Sequence, residues 1–457
     1  MYPNDYYESY PVYRKIDSRT IKADELVKVR LSRADRLLLK NIMPAVNLLS
    51  SDKDVRIQGY AQICDLKQTE MTAFVKEALL EEKNVVVRRF ADKTLNTLLL
   101  FAGNDKEQGE AIRYFIAHAS PASLQNLKEY AHRKAIDETN RREALELIRQ
   151  IESHQRAMDV VQNVFSGLSL GSILIMISLG LSIIYGLAGI INMSHGEFIM
   201  IGAYTTFCVQ QLFNNYLPAA WLDVSFFVSL PVSFVTTSLF GLMVERLVIK
   251  HLYSRPLESL LATWGISLIL IQIARNVFGD LTAVKSPAIL SGGFEVAEGV
   301  ILPFNRIFII GLTVVMFILV YMLFQKTILG VRIRAVTQNR SMSACLGINT
   351  KRIDMLTFML GSGLAGVAGC AITLIGNVVP NMGQTYIVDS FLVVVAGGVG
   401  QLLGCVVSGL GIGIFSKIFE VSFEAVYGKV LVLVFIIIFL QYKPKGLFPD
   451  KGRVGDG

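Results

Sequence analysis

Asn192-Met193-Ser194-His195-Gly196-Glu197 sets five polar or small residues inside a stretch, Gly167 to Phe213, that is otherwise apolar. Polar groups at membrane depth are costly and usually face a protein interior or a wet pathway. A helix serving only as an anchor has no use for them. Asn192, Ser194, His195 and Glu197 offer an amide, a hydroxyl, an imidazole and a carboxyl group, a set suited to hydrogen-bonding a polar solute. Ser194-x-x-Glu197 also has the capping-box spacing, with Ser194 as N-cap and Glu197 at the third helical position, so the motif could simply start a helix. The two readings are compatible, because a helix N-terminus aimed at the midplane presents free N–H donors. Asn377, Asn381, Gln384, Asp389 and Gln401 are the matching set in the second half. The membrane runs near these motifs hold no Lys or Arg, which favours a neutral solute over a zwitterion. His195 alone is not a proton relay and reads as a hydrogen-bonded structural group. No nucleophile–base pair or metal-ligand constellation accompanies these residues, so no catalytic residue, metal or cofactor is expected on this chain.

The elements that must position these groups follow from composition. The chain is 52% hydrophobic yet 18% charged. These figures reconcile if it has two unlike parts, and residues 1–160 indeed hold 26 of the 44 Lys+Arg and 24 of the 37 Asp+Glu. The expected fold is all-α. A flexible N-terminus (1–20) and a soluble helical domain (21–158) precede a polytopic membrane domain (159–445) and a tail (446–457). The modest net charge of +7 is interspersed and gives no nucleic-acid stripe. The five cysteines are too far apart for a metal site or a disulfide framework.

In the N-terminal part, LLSSDKDVRIQGYAQI (48–63) resembles LLEEKNVVVRRFADKTL (79–95), with Val55-Arg56 matching Val87-Arg88. This weak repeat fits stacked HEAT-like helix pairs or any small helical bundle. His118, His132 and His154 have no Cys or carboxylate at ligand spacing.

Further spans are expected at 224–249, 259–279, 306–325, 355–375, 391–416 and 428–441. Loops 250–258 and 326–354 are basic, whereas 280–305 is nearly neutral, which places the first two in the cytoplasm and the third outside. If the first stretch is two helices, parity puts the N-terminal domain outside and the tail inside. Parity then demands an odd number of crossings after 375, so Gly397-Gly398-Val399-Gly400-Gln401 must break the run at 391–416 into two helices. That break is read as the second-half counterpart of the one at Asn192, and such pairs point to a translocation pathway. The opening MYPNDYYESYPVYRKIDSRT has no apolar core of a signal peptide, which sits awkwardly with an external domain. Gly167-xxx-Gly171, GSGLAGVAG (361–369) and Gly409-xxx-Gly413 are small-residue packing surfaces.

Four segments together resemble the membrane permeases of branched-chain amino-acid ABC importers. They are INMSHGEFIMIGAY (191–204), RPLESLLATWGISLIL (255–270), LGVRIRAVTQNRSMSACLGINTKRID (329–354) and VVVAGGVGQLLG (393–404). LYSRPLE (252–258), Trp264 in LATWGIS, RAVTQNR (334–340) and GNVVPNMGQTYIVDSF (376–391) look closer to the urea-type permease, and Trp264 joins the candidate pathway residues. The resemblance covers about 165–450. It implies a bacterial inner-membrane subunit working with a second homologous permease, two cytoplasmic ATPases and an extracytoplasmic solute-binding protein. ATP would be used by the partners, and the chain itself has no GxxxxGK[ST] pattern. Loop 326–354 matches the family's ATPase-coupling region, with Arg332, Arg334, Gln338, Asn339, Arg340, Leu346 and Gly347 as the coupling residues. The leading expectation is urea import by alternating access. The alternative is a branched-chain amino-acid or short-amide importer of the same build. A channel or proton-coupled carrier would not need loop 326–354.

Overall fold

A computed structural model describes residues 42–133, 136–188, 192–218, 221–252, 255–297, 300–423, 425–444 and 446–448. The expected N-terminal segment 1–20 and the tail beyond Phe448 lie outside the described residues. The chain divides into two compact units, up to His154 and from Gln155 onward.

The first unit is helical. Its helices are α1 (Lys53–Asp65), α2 (Thr72–Glu81), α3 (Val85–Ala102), α4 (Asp105–Ala117), α5 (Leu124–Ala131) and the start of α6 (Glu138–Ala188). The two repeat segments become α1 and α3. Each is started by a polar side chain, as Asp52 accepts from Asp54 N–H and Asn84 from Val86 N–H. Asn104 and Glu107 form a complete capping box on α4. One core gathers Tyr60, Ile63, Val75, Val87 and Leu98; a second gathers Phe115, Leu127, Tyr130 and Leu147.

The second unit contains α6 from Gln155, then α7 (His195–Tyr216), α8 (Leu222–Leu247), α9 (Pro256–Phe278) and a short hairpin, β1 (Gly293–Ala297) with β2 (Val300–Pro303). Next come α10 (Phe304–Lys326), α11 (Ile328–Gln338), α12 (Arg340–Cys345) and α13 (Thr350–Ile372). The unit closes with α14 (Met382–Gly397), α15 (Leu402–Phe423) and α16 (Ala425–Tyr442). Among the described residues, six helices are long and apolar enough to cross a membrane, and α14 and α16 are shorter apolar helices. The protein is an all-α, polytopic membrane protein. The run at 391–416 is broken as expected, with α14 ending at Gly397 and α15 starting at Leu402. Gly398 (φ 102°) and Gly400 (φ 80°) supply the left-handed backbone that the break requires.

Small residues allow the helices to meet backbone to backbone. Gly171 of α6 faces Gly409 and Gly413 of α15, and a Cβ on Gly413 would lie 2.4 Å from Gly171 Cα. The two sequence motifs Gly167-xxx-Gly171 and Gly409-xxx-Gly413 are therefore two sides of one contact. Gly180 of α6 and Gly361 of α13 likewise face each other.

Loops share ends of this unit. Gln210 Nε2 donates to the Lys285 carbonyl (2.8 Å), Asp223 accepts from Ala288 N–H (2.8 Å), and Thr282 bridges to Val378. These bonds bring loop 279–303 to the chain before α14. At α11–α12, the small core of Ile333, Val336 and Ile353 with Phe324 and Ile348 folds the basic loop onto the start of α13.

Candidate functional site

The start of α7 is where the polar motif resolves into geometry. Ser194 occupies the N-cap position but makes no side-chain cap. The capping-box expectation is corrected here. Asn192 Oδ1 accepts from both Ser194 N–H (3.1 Å) and Ser194 Oγ (2.6 Å), so the hydroxyl is turned back. The Glu197 carboxylate turns outward to α9 instead, where Oε1 accepts from Ser267 Oγ at 2.6 Å. Thr263, one turn before Ser267, accepts from Met193 N–H at 3.2 Å. Ser259, Thr263 and Ser267 thus form a buried hydroxyl stripe on α9 at every fourth residue, and two of them hold the entry to α7. Sequence reasoning missed this stripe. Its signal was present as S-x3-T-x3-S within an apolar run.

Asn192, Ser194, His195 and Glu197 are all buried. His195 Nε2–H donates to the Ile177 carbonyl at 3.3 Å, tying α7 to α6. Asn192 Nδ2, His195 Nδ1 and Glu197 Oε2 have no protein partner among the described residues. Buried polar atoms left without a partner cost free energy, so a cluster of three concentrates unused hydrogen-bonding capacity at one place.

The second-half set divides. Gly383, at the start of α14, presses against Gly196, at the start of α7. The segment that meets the Asn192 motif in space is therefore Asn381–Gln384, not the break at Gly397–Gln401. The break itself, read from crossing parity as the counterpart of the one at Asn192, lies instead against the end of α6, where a Cβ on Gly186 would be 2.9 Å from Gly400 Cα. Asn381 and Gln384 are exposed on this chain's surface beside the meeting point. Asn377 is exposed in the segment preceding α14, and Asp389 is half-buried further along that helix. Trp264 is 49% exposed on α9 and lies outside the buried hydroxyl stripe. Gln401 lies at the break, at a separate location described next.

The coupling set is ordered by internal contacts. Thr327 caps α11, and Asn339 caps α12 by accepting from Met342 N–H at 2.9 Å. Gly347 turns the chain with φ 83°. Arg340 Nη1 donates to Asp354 Oδ1 (3.1 Å), and a second contact joins Nη2 to Oδ2. Asp354 is buried, so Arg340 holds α12 to α13. Arg332 and Leu346 are exposed, Leu346 at 75%. Arg334 donates to the Phe324 carbonyl (2.8 Å) and Gln325 Oε1 (3.2 Å). Arg334, Gln338 and Gln401 line one cavity of about 520 Å³, which joins the coupling loop to the α14–α15 break. Among the described residues, no group of His, Cys, Asp and Glu could hold a metal.

Much of the second unit is similar in sequence to known proteins. Residues 163–440 match the family profile described as branched-chain amino acid transport system / permease component. The high-affinity branched-chain amino acid transport system permease protein BraD of Pseudomonas aeruginosa is 29% identical over 296 residues, covering 63% of this chain and 95% of that protein. LivH of Escherichia coli K12, a permease protein of the same description, is 28% identical over 296 residues, covering 63% and 94%. A probable LivH of Methanocaldococcus jannaschii is 26% identical over 288 residues, covering 60% and 88%. No solved structure matches.

Proposed function

We propose a transport role on the premise that this chain belongs to the family of branched-chain amino-acid transport permease components. In this reading the chain is the membrane permease of an ATP-driven importer in the bacterial inner membrane. It works with a second homologous permease, two ATPase subunits that hydrolyse the ATP, and an extracytoplasmic solute-binding protein. The observation that carries the reading is the meeting of two helix starts, α7 and α14, beside a buried polar cluster with unused hydrogen-bonding atoms. Helix N-termini at membrane depth present backbone donors to a polar solute. Asn192 and Glu197 supply the contacts from one side, and the exposed Asn381 and Gln384 from the other. Their exposure fits a face covered by the second permease. Solute passes by alternating access as the two permeases move against each other, and the α11–α12 loop conveys the ATPase state, with Arg332 and Leu346 as its outward contacts. The basic loops and the tail lie in the cytoplasm, and the first unit lies outside.

The relatives' names support a branched-chain amino acid as solute. A second reading, urea, is favoured by a different observation: the buried cluster carries a carboxylate but no Lys or Arg, so a solute carboxylate has no cationic partner there. Urea offers N–H donors to Glu197 and Asn192 Oδ1 and a carbonyl acceptor to Asn192 Nδ2. The test is uptake of labelled leucine and labelled urea by cells bearing the complete transporter, with and without this chain. Uptake of leucine that depends on the chain and resists excess urea establishes the amino-acid reading. The converse establishes urea. Dependence of neither would remove the transport role proposed for the chain.

A further inference from the structure

A second place in the membrane unit has the character of a binding site, at the opposite end of α14 from its meeting with α7. It is the cavity of about 520 Å³ between α6, α10, α11 and the α14–α15 break. Its size falls within the range of small-molecule pockets, which are lined mainly by apolar side chains with a few placed polar groups. The walls here are Ile183, Phe324, Ile333, Val395, Val399 and Leu402. The polar groups are Ser182, Gln325, Arg334, Thr337, Gln338 and Gln401. Among the described residues, no Asp or Glu lines it. Arg334 donates only to a backbone carbonyl and an amide oxygen, and among the described residues no carboxylate pairs with it. Ser182, at the inner wall, is fully buried. A solvent-exposed guanidinium at the rim with no carboxylate partner among the described residues, amide and hydroxyl groups around it, and branched apolar walls suit a ligand with one negative charge and a compact hydrocarbon body.

We propose that this cavity is a regulatory site for small apolar carboxylates, such as a branched-chain 2-oxo acid, entering from the side of the coupling loop. The proposal rests on the transport reading above for the side on which the loop lies. The guanidinium binds the carboxylate through its forked donors, a geometry it suits better than Lys does. The hydrocarbon body fills the apolar wall. One wall belongs to α11, within the coupling loop, and the facing wall belongs to Val399–Leu403, within the break. A ligand held by both walls binds best when they are at the spacing seen here, so it draws the transporter toward this conformation. An accumulated carboxylate metabolite of that class would then slow further import.

The test uses the complete transporter, purified in nanodiscs, with equilibrium dialysis of labelled 3-methylbutanoate. The expected result is one saturable site per copy of this chain, insensitive to the uncharged 3-methylbutanamide. Arg334→Gln is expected to weaken binding at least tenfold, and Arg334→Lys by less. Since Arg334→Gln could disturb the loop, Val399→Trp is the second variant. It fills the cavity without touching the guanidinium and is expected to abolish binding. In proteoliposomes with the ATPases outward, 3-methylbutanoate added on the ATPase side should lower stimulated ATP hydrolysis severalfold in the unsubstituted protein only. Absence of saturable binding overturns the site. Equal competition by inorganic phosphate, or a tightly held anionic lipid displaced only by Arg334→Gln, overturns the assignment to a small carboxylate. Solute uptake measured in the same vesicles without 3-methylbutanoate reports on the transport reading separately, so either can fail while the other stands.

Discussion

Gly196 and Gly383 face each other across the starts of α7 and α14, such that a Cβ added to Gly383 would lie 2.2 Å from the Gly196 carbonyl oxygen, and one on Gly196 2.6 Å from that of Gly383. Gly180 and Gly361 show the same exchange, with distances of 2.4 and 2.6 Å. Two glycine pairs thus join α6 to α13 and α7 to α14. At the helix starts on which the transport reading depends, backbone meets backbone within the same apolar core as Phe198, Ile199 and Met382.

Gly383→Ala should therefore be strongly destabilising. The neighbouring atoms are backbone and cannot swing aside, so the cost lies at or above the upper end of the ~1–3 kcal/mol typical of overpacking. Gly265→Ala, on α9 with open space around it, should be neutral or nearly so. Thermal unfolding of the two variants, followed by size-exclusion fluorescence in detergent, checks this. Equal midpoints would show that α7 and α14 can separate freely.

The α9 hydroxyl stripe gives a prediction about solute handling. Ser267→Ala removes the hydrogen bond to Glu197 Oε1 and leaves both carboxylate oxygens of Glu197 without a protein partner. Stability should fall by about 1–3 kcal/mol, the usual cost of orphaning a buried polar group. Transport per assembled complex should fall in parallel with that of Glu197→Ala. A double-mutant cycle on uptake measures the coupling. Additivity of the two substitutions would mean that Ser267 acts on transport independently of Glu197.

How much of this was legible in the sequence differs by element. The spans and the break at Gly397–Gln401 were legible because hydropathy, loop charge and parity are local or countable. The pairing of Gly196 with Gly383 was not. It depends on which helix starts converge, and a glycine at a close contact looks in sequence like a glycine at a turn such as Gly398. Asn192 and Glu197 announced themselves as polar groups at depth. Ser267 and Thr263 did not, because hydroxyls in apolar helices commonly satisfy themselves on the preceding turn, as Thr206 does on Gly202. Trp264 was selected by resemblance, and its exposed position could be read only from the rotation of α9.

Arg340 gives a prediction that alters the sequence-based expectation of a purely external coupling role. Its guanidinium holds the buried Asp354 carboxylate, so Arg340→Glu sets two carboxylates together and should release α12 from α13. Loss of transport would then come with faster proteolysis within 326–354. Breaking a buried pair by removing one partner costs about 3–5 kcal/mol, and the exposed side of Arg340 reduces this. The exchange Arg340→Asp with Asp354→Arg should restore protease resistance in part. Leu346→Ala, on an exposed side chain, should leave proteolysis unchanged and weaken co-purification of the ATPase.

In the first unit, Arg56 Nε and Nη2 donate to the two oxygens of Glu82 at 2.8 and 3.1 Å, binding α1 to the end of α2. Burial alone would raise the Glu82 carboxyl, but the Arg56 bonds and the Asn84 N–H outweigh it and hold it below its ordinary value of 4.5. The folded unit thus binds a proton less readily than the unfolded chain. This contribution to stability is full above about pH 4.5 and is lost as pH falls through the lower folded value. Amide-exchange protection of α1 and α3, corrected for intrinsic rates, should drop over that window in the intact protein. Arg56→Ala should lower protection at neutral pH and flatten the dependence. A steep dependence surviving in Arg56→Ala would assign the titration to another group.

The tail supplies the last prediction. Leu447 N–H donates to the Ala396 carbonyl at 2.8 Å, and Phe448 N–H to the Gly397 carbonyl at 3.2 Å. The last carbonyls of a helix have no partner within it, so residues beyond α16 provide what the end of α14 lacks. Gly446 (φ 75°) makes the turn that brings the tail into register, and a Cβ there would lie 2.8 Å from both Gly398 N and the Val395 carbonyl. Leu447→Pro removes one donor without shortening the chain, and Gly446→Ala opposes both the turn and the approach. Each should free the α14 terminus and raise cysteine labelling at a Val399→Cys reporter severalfold, with little change at Val421→Cys on exposed α15. Because Val399 borders the cavity and Gly397 ends a helix of the pathway, basal ATP hydrolysis should also rise relative to transport. Unchanged labelling at Val399 would mean that the break keeps its conformation without the tail and that the two hydrogen bonds only record its position.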